Sequence, residues 1–227
     1  MDMRLDPIHL SVVLSLTLAA SSHGALVVIN ESFESFDAGT GSGSPTAYQY
    51  PNVTDWTYSG APTTPGLLGA ISETLGTIPL TPHGDNWLLV DSRIATQNVY
   101  QSLGTISDGD ELSISALIGR PTNAAIADFE LGLYRSVSGG GVQMLTAIGL
   151  SDPGVAGLAA GATVTATANY TATAADAGET LFVRIGLLSG DASPVDQAVI
   201  DNVSVIPEPA SLALVALGGL VALRRRR

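Results

Sequence analysis

Four segments of this chain alternate apolar and polar residues with a period of two, and that alternation limits it to sheet. Glu111–Ile118 sets Leu112, Ile114, Ala116 and Ile118 on one side, and Ala127–Tyr134 does the same with Ala127, Phe129, Leu131 and Leu133. Thr163–Tyr170 aligns Val164, Ala166, Ala168 and Tyr170; Thr180–Leu188 aligns Leu181, Val183, Ile185 and Leu187. Successive side chains of a strand point to opposite faces, so each pattern reads as a half-buried strand. Shorter candidates are Leu26–Phe33, Trp56–Tyr58, Trp87–Val90, Val99–Leu103, Val142–Ile148 and Val199–Ile206. Turn residues separate them at Ser107–Asp110, Ser138–Gly141, Asp152–Gly154 and Asp191–Pro194, and Asp37–Pro51 reads as a Gly/Ser/Thr-rich loop. Between the two ends no helical stripe is long enough for a major helix. About ten short strands joined by turns predict an all-β, antiparallel sandwich. Leu112, Ile114, Phe129, Leu131, Val183 and Ile185 should fill its core.

Both ends fall outside that pattern. Met1–Ser22 has Arg4 in a charged leader, an apolar run from Ile8 to Ala20 and small residues after it. This is the layout of a secretory signal peptide, with cleavage after Ser22 or Gly24, and we assign residues 1–24 to it. The other end runs Pro207-Glu208-Pro209, the uncharged stretch Ala210–Leu223, and Arg224, Arg225, Arg226 and Arg227. The prolines fix φ and remove two donors, so a helix cannot extend upstream through them. Fourteen residues make a helix of about 21 Å, short of a hydrocarbon core of about 30 Å. The arginines stay cytoplasmic, which leaves everything before Pro207 outside. The arrangement resembles the PEP-CTERM sorting signal of Gram-negative bacteria, whose partner is the membrane peptidase exosortase. The resemblance implies an exported precursor, tethered to the inner membrane by the short C-terminal apolar helix and then delivered to the cell surface or extracellular matrix. Residues 25–206 are left as the sandwich domain and 207–227 as the sorting signal.

Charge and composition narrow the role. Leu26–Ile206 holds four arginines (Arg93, Arg120, Arg135, Arg184), no lysine and eighteen Asp plus Glu, a net charge of −14. Such a surface repels nucleic acid and anionic lipid, and attracts divalent cations. There is no cysteine, which excludes disulfides, thiol catalysis and thiolate metal sites.

Asn30-Glu31-Ser32-Phe33-Glu34, Gly84–Val90 and Ile200–Val205, with Val99–Gly104 and Asp110–Ile118 between them, are similar to the galactose-binding-like jelly-roll sandwiches of many carbohydrate-binding modules. On the last strand, alternation puts Asp201 on one face with Val199, Val203 and Val205. A carboxylate among valines needs a partner. In the modules resembled, a Glu near the first strand and an Asp on the last often share a structural calcium. The resemblance therefore implies a calcium on Glu34, Asp201 and backbone carbonyls, alongside the alternative that Asp201 marks a bulge or caps a sheet edge with its side chain in water. Trp56 and Tyr58 are the aromatic residues placed to stack on a sugar; Trp87, in an apolar run, reads as core.

Catalytic signals are weak. His83 sits in a Pro/Gly turn and reads as exposed loop. Gly-x-Ser-x-Gly is absent, and Asp110, Glu111, Asp128 and Glu130 are explained by a turn or a solvated strand face. The expectation is a non-catalytic exported protein sorted by exosortase. The alternatives are a carbohydrate-binding module with a defined glycan ligand, with extracellular polysaccharide as partner, and a polysaccharide-active enzyme.

Overall fold

The computed structural model describes residues 26–35, 48–49, 53–59, 68–72, 77–79, 83–91, 98–187 and 196–207. The expected signal peptide and the apolar tail helix lie outside them. Among the described residues, no helix is long and apolar enough to cross a membrane.

The described residues form eleven strands in two antiparallel sheets. They are β1 (Tyr48–Gln49), β2 (Thr57–Ser59), β3 (Leu68–Ser72), β4 (Asn86–Asp91), β5 (Asn98–Thr105), β6 (Glu111–Gly119), β7 (Phe129–Ser136), β8 (Val142–Gly149), β9 (Thr163–Thr171), β10 (Thr180–Leu187) and β11 (Gln197–Pro207). One sheet has the order β1-β3-β4-β11-β6-β9, the other β2-β5-β10-β7-β8. The only described helix is a single turn, α1 (Pro153–Ala156), opened by Pro153. The protein is an all-β jelly-roll sandwich.

The alternation seen in sequence becomes its interior. Leu112, Ile114 and Ile118 of β6 face Leu181, Val183 and Ile185 of β10 and Phe129, Leu131 and Leu133 of β7 in one cluster, none more than 2% exposed. Burying a side chain of this size contributes about 1.5–3 kcal/mol, so these positions carry the fold. A smaller cluster of Ile71, Ile78, Trp87, Leu89, Leu117 and Val199 packs apart from that interior; Trp87 Nε1 donates to Pro79 O at 2.9 Å.

Three local readings change. Residues 26–33 form no strand: residues 29–32 are a turn, with Asn30 at φ 52° and Phe33 at φ 56°, and Phe33 N–H donates to Asn30 O. Ser35 N–H closes onto Asn30 Oδ1 at 2.9 Å, and the turn drives Phe33 fully into the core. Strand β1 lies inside the stretch expected to be loop. Finally, β11 carries a bulge between Asp201 and Ser204, with Asn202 at φ 48°. The extra residue resets the alternation. Ala198 and Ile200 belong to the main core before the bulge and Val203 and Val205 after it, whereas Val199 belongs to the smaller cluster. Asp201 therefore does not share a face with Val203 and Val205, although it is fully buried.

Candidate functional site

The sequence-predicted residues separate into two places. Trp56 is 6% exposed and stacks on Phe33 at 5.5 Å between centroids and 32° between planes. Its Nε1 donates to Asn30 O at 3.3 Å. Tyr58 pairs with the core residue Val99 and packs against the interior. Trp56, just before β2, thus belongs to the core and offers no exposed ring face.

Glu34 and Asp201 come to one end of the β4–β11 ladder. Glu34 Oε1 accepts from the amides of Asp85 (3.1 Å) and Asn86 (2.9 Å), and Oε2 accepts from Asn86 Nδ2 at 3.0 Å. Ile200 pairs with Leu88, which places Asp201 beside this end of β4. Val203 N–H donates to Glu31 O at 2.9 Å, and Asn202 Nδ2 meets His83 Nε2 at 3.1 Å. Asp201 Oδ1 accepts from the Asn202 amide at 2.6 Å. Among the described residues no group of three or more His, Cys, Asp or Glu side chains could hold a metal, so any ion here would depend on backbone carbonyls.

Sequence reasoning missed a cleft of about 290 Å³ on the outer face of the five-stranded sheet. It is lined by Ser59, Asn98, Tyr100, Tyr134, Val142, Phe182 and Arg184. The register assembles it: Arg184 pairs with Tyr100 on β5 and Gly132 on β7, and Phe182 pairs with Tyr134 on β7. Gly132 shapes the floor. A Cβ there would come 3.0 Å from Tyr134 Cε2, so the missing side chain lets that ring lie along the strand. The Arg184 guanidinium sits over the ring, 4.8 Å from its centroid, a cation–π contact. Tyr100 and Phe182 meet edge to face at 6.0 Å and 77°.

Beside the cleft, Glu130 pairs with Gly186 and is 5% exposed, not solvated as its strand position implied. Burial pushes its carboxyl above the ordinary value, and the Arg184 charge opposes that. Glu130 Oε1 and Arg184 Nε are both buried without a hydrogen-bond partner. The signal for this site was parity: with Val183 and Ile185 inward, Phe182 and Arg184 must face out.

Among curated proteins none matches the sequence. Among solved structures, the sandwich is similar to a Stig cyclase, Fisc from Fischerella sp. TAU, crystallised with (3Z)-3-(1-methyl-2-pyrrolidinylidene)-3H-indole. The identity is 16%, the TM-score 0.61, and the match covers 82% of this chain and 98% of that one. An apo-form cyclase from Fischerella sp. matches with 16% identity and TM-score 0.60, over 82% and 97% of the two chains. The CBM22-1 xylan-binding domain of Xyn10C from Paenibacillus barcinonensis matches with 17% identity and TM-score 0.47, over 79% and 93%. At these identities the cyclases share the fold and nothing more is carried over. The tail is more specific: residues 205–227 match the PEP-CTERM protein-sorting motif, so this chain carries that sorting signal at its C-terminal end.

Proposed function

We propose that the chain is a non-catalytic exported protein that exosortase delivers to the cell surface or extracellular matrix, with the sandwich as the part displayed there. The sorting motif at 205–227 carries this reading, and the charged leader and apolar run of Met1–Ser22 agree with it. In an exosortase-bearing host, deleting Arg224–Arg227 or replacing Pro207-Glu208-Pro209 should leave precursor in the inner membrane. Normal surface delivery of both variants would overturn the reading.

A second reading, a carbohydrate-binding module, is favoured by the cleft. Aromatic side chains combined with hydroxyl, amide and guanidinium groups in one depression suit a sugar, which has apolar ring faces and polar rims. Among the described residues the lining has one charged group, Arg184, and no pair of carboxylates, which supports binding over glycoside hydrolysis. The proposal includes a structural calcium on Glu34 and Asp201, supported by the placement of both near the start of β4, Glu34 on the Asn86 amide and Asp201 next to Ile200, which pairs with Leu88.

A further inference from the structure

We propose that the cleft binds a single glycan chain at an acidic sugar, with the sugar carboxylate seated on the Arg184 guanidinium. This rests on the carbohydrate-binding reading and adds a chemical class to it.

Shape excludes a flat, crystalline ligand. Tyr100 and Phe182 lie at 77° to one another, and one face of Tyr134 is covered by Arg184, so the rings make no coplanar platform. A volume of about 290 Å³ is at the small end of ligand sites, which run from about 300 to 1,000 Å³. That space suits a short stretch of one chain.

Charge selects the sugar. Arg120 spends its guanidinium on the carbonyls of Ala124 (2.9 Å) and Leu158 (3.0 Å). Arg135 pairs with Asp176 at 3.0 Å and donates to Gln143 at 2.8 Å. Among the described residues Arg184 is held differently: it rests on Tyr134, its buried Nε has no hydrogen-bond partner, and the Glu130 carboxyl acts on it only through charge. A guanidinium is a planar fork that matches a carboxylate with two parallel hydrogen bonds, and stacking on a ring fixes its plane before the ligand arrives. Glu130 occupies the next row of the same face, opposite Gly186, and does not line the cleft. The ligand therefore meets the cation, not the acid. The domain's net negative charge opposes an acidic chain as a whole, so the attraction has to be local, one sugar carboxylate against one guanidinium.

The test uses the full-length chain purified in mild detergent and titrated calorimetrically. The probes are galacturonate, glucuronate, mannuronate and guluronate trisaccharides against galactose, glucose and mannose trisaccharides. At least one acidic trisaccharide should bind about tenfold or more tighter than its neutral counterpart, and raising salt should weaken it. Arg184→Met should remove that preference while leaving the unfolding midpoint near the parent's, and Arg184→Lys should restore only part of it. Neutral sugars binding as well as acidic ones, or Arg184→Met keeping the preference, would overturn the inference while leaving the carbohydrate reading intact. If none of the sugars binds, both fall.

Discussion

Asp176 offers the sharpest test of how the two sheets are held together. It lies in the turn between β9 and β10 and is 2% exposed. Its Oδ2 accepts from Thr173 N (2.7 Å), Thr173 Oγ1 (2.8 Å) and Tyr170 OH (2.8 Å), while Oδ1 pairs with Arg135 Nε at 3.0 Å. Tyr170 ends β9 of one sheet and Arg135 lies on β7 of the other, so one carboxylate ties both. Burial raises the Asp176 carboxyl, but the Thr173 amide, Tyr170, the Thr173 hydroxyl and Arg135 together hold it below 3.8. Breaking a buried pair by removing one partner costs about 3–5 kcal/mol. Summing three charged hydrogen bonds at about 1.5–3 kcal/mol each would overcount, because they share one oxygen. Asp176→Asn keeps an acceptor for the Thr173 amide but turns an NH₂ toward Arg135 or Tyr170, so we expect a loss of about 2–4 kcal/mol. For a domain of about 180 residues that is a melting shift of about 8 °C. The parent's stability from this site is complete above the ordinary aspartate value and is lost as pH falls through the lower, folded value. The Asn variant should therefore show a flatter acid limb below about pH 4. Urea unfolding of residues 26–207 from pH 7 to 2 measures both effects, and an Arg135→Met/Asp176→Asn cycle gives the coupling. A variant within about 0.5 kcal/mol of the parent, with an unchanged acid limb, would refute the reasoning.

Trp56→Ala should cost about 3–5 kcal/mol in thermal unfolding, the cost of a buried aromatic, against about 0.5 kcal/mol for an exposed ring. Gly84→Ala should cost about 1–3 kcal/mol, because Gly84 sits at φ 128° and a Cβ there would overlap the Glu34 carboxyl. The same change should cost less in a Glu34→Ala background, as a double-mutant cycle will show. Calcium at a hundredfold excess over Kd should stabilise the domain by about 2.7 kcal/mol, and Asp201→Asn should remove most of that response. Melting indifferent to calcium and chelator would eliminate the ion.

The interior was legible because it depends on one-residue parity, and Leu112, Ile114, Phe129, Leu131, Val183 and Ile185 all point into it. Parity fails where the chain inserts a residue. The bulge after Asp201 leaves no composition signature, since Ile-Asp-Asn-Val-Ser-Val alternates acceptably in either register. The cleft was half legible: Phe182, Arg184, Tyr134 and Tyr100 are each the outward member of a strand. That β5, β10 and β7 lie side by side is set by long-range pairing between residues such as Tyr100, Arg184 and Gly132, which no local pattern encodes. Trp56 is open between core and sugar platform in the sequence because one short strand gives too few residues to fix which parity faces in.

Strand β11 stays in register with β6 as far as Pro207, which pairs with Leu112, and the sorting motif begins at Val205, a core residue 4% exposed. Strand and motif therefore share three residues, Val205, Ile206 and Pro207. One residue, Glu208, separates Pro207 from Pro209, so the two prolines lie at most about 7 Å apart along the chain. Val205 therefore answers to two constraints at once, the sandwich interior and the sorting motif, and a substitution chosen to test one is read through the other.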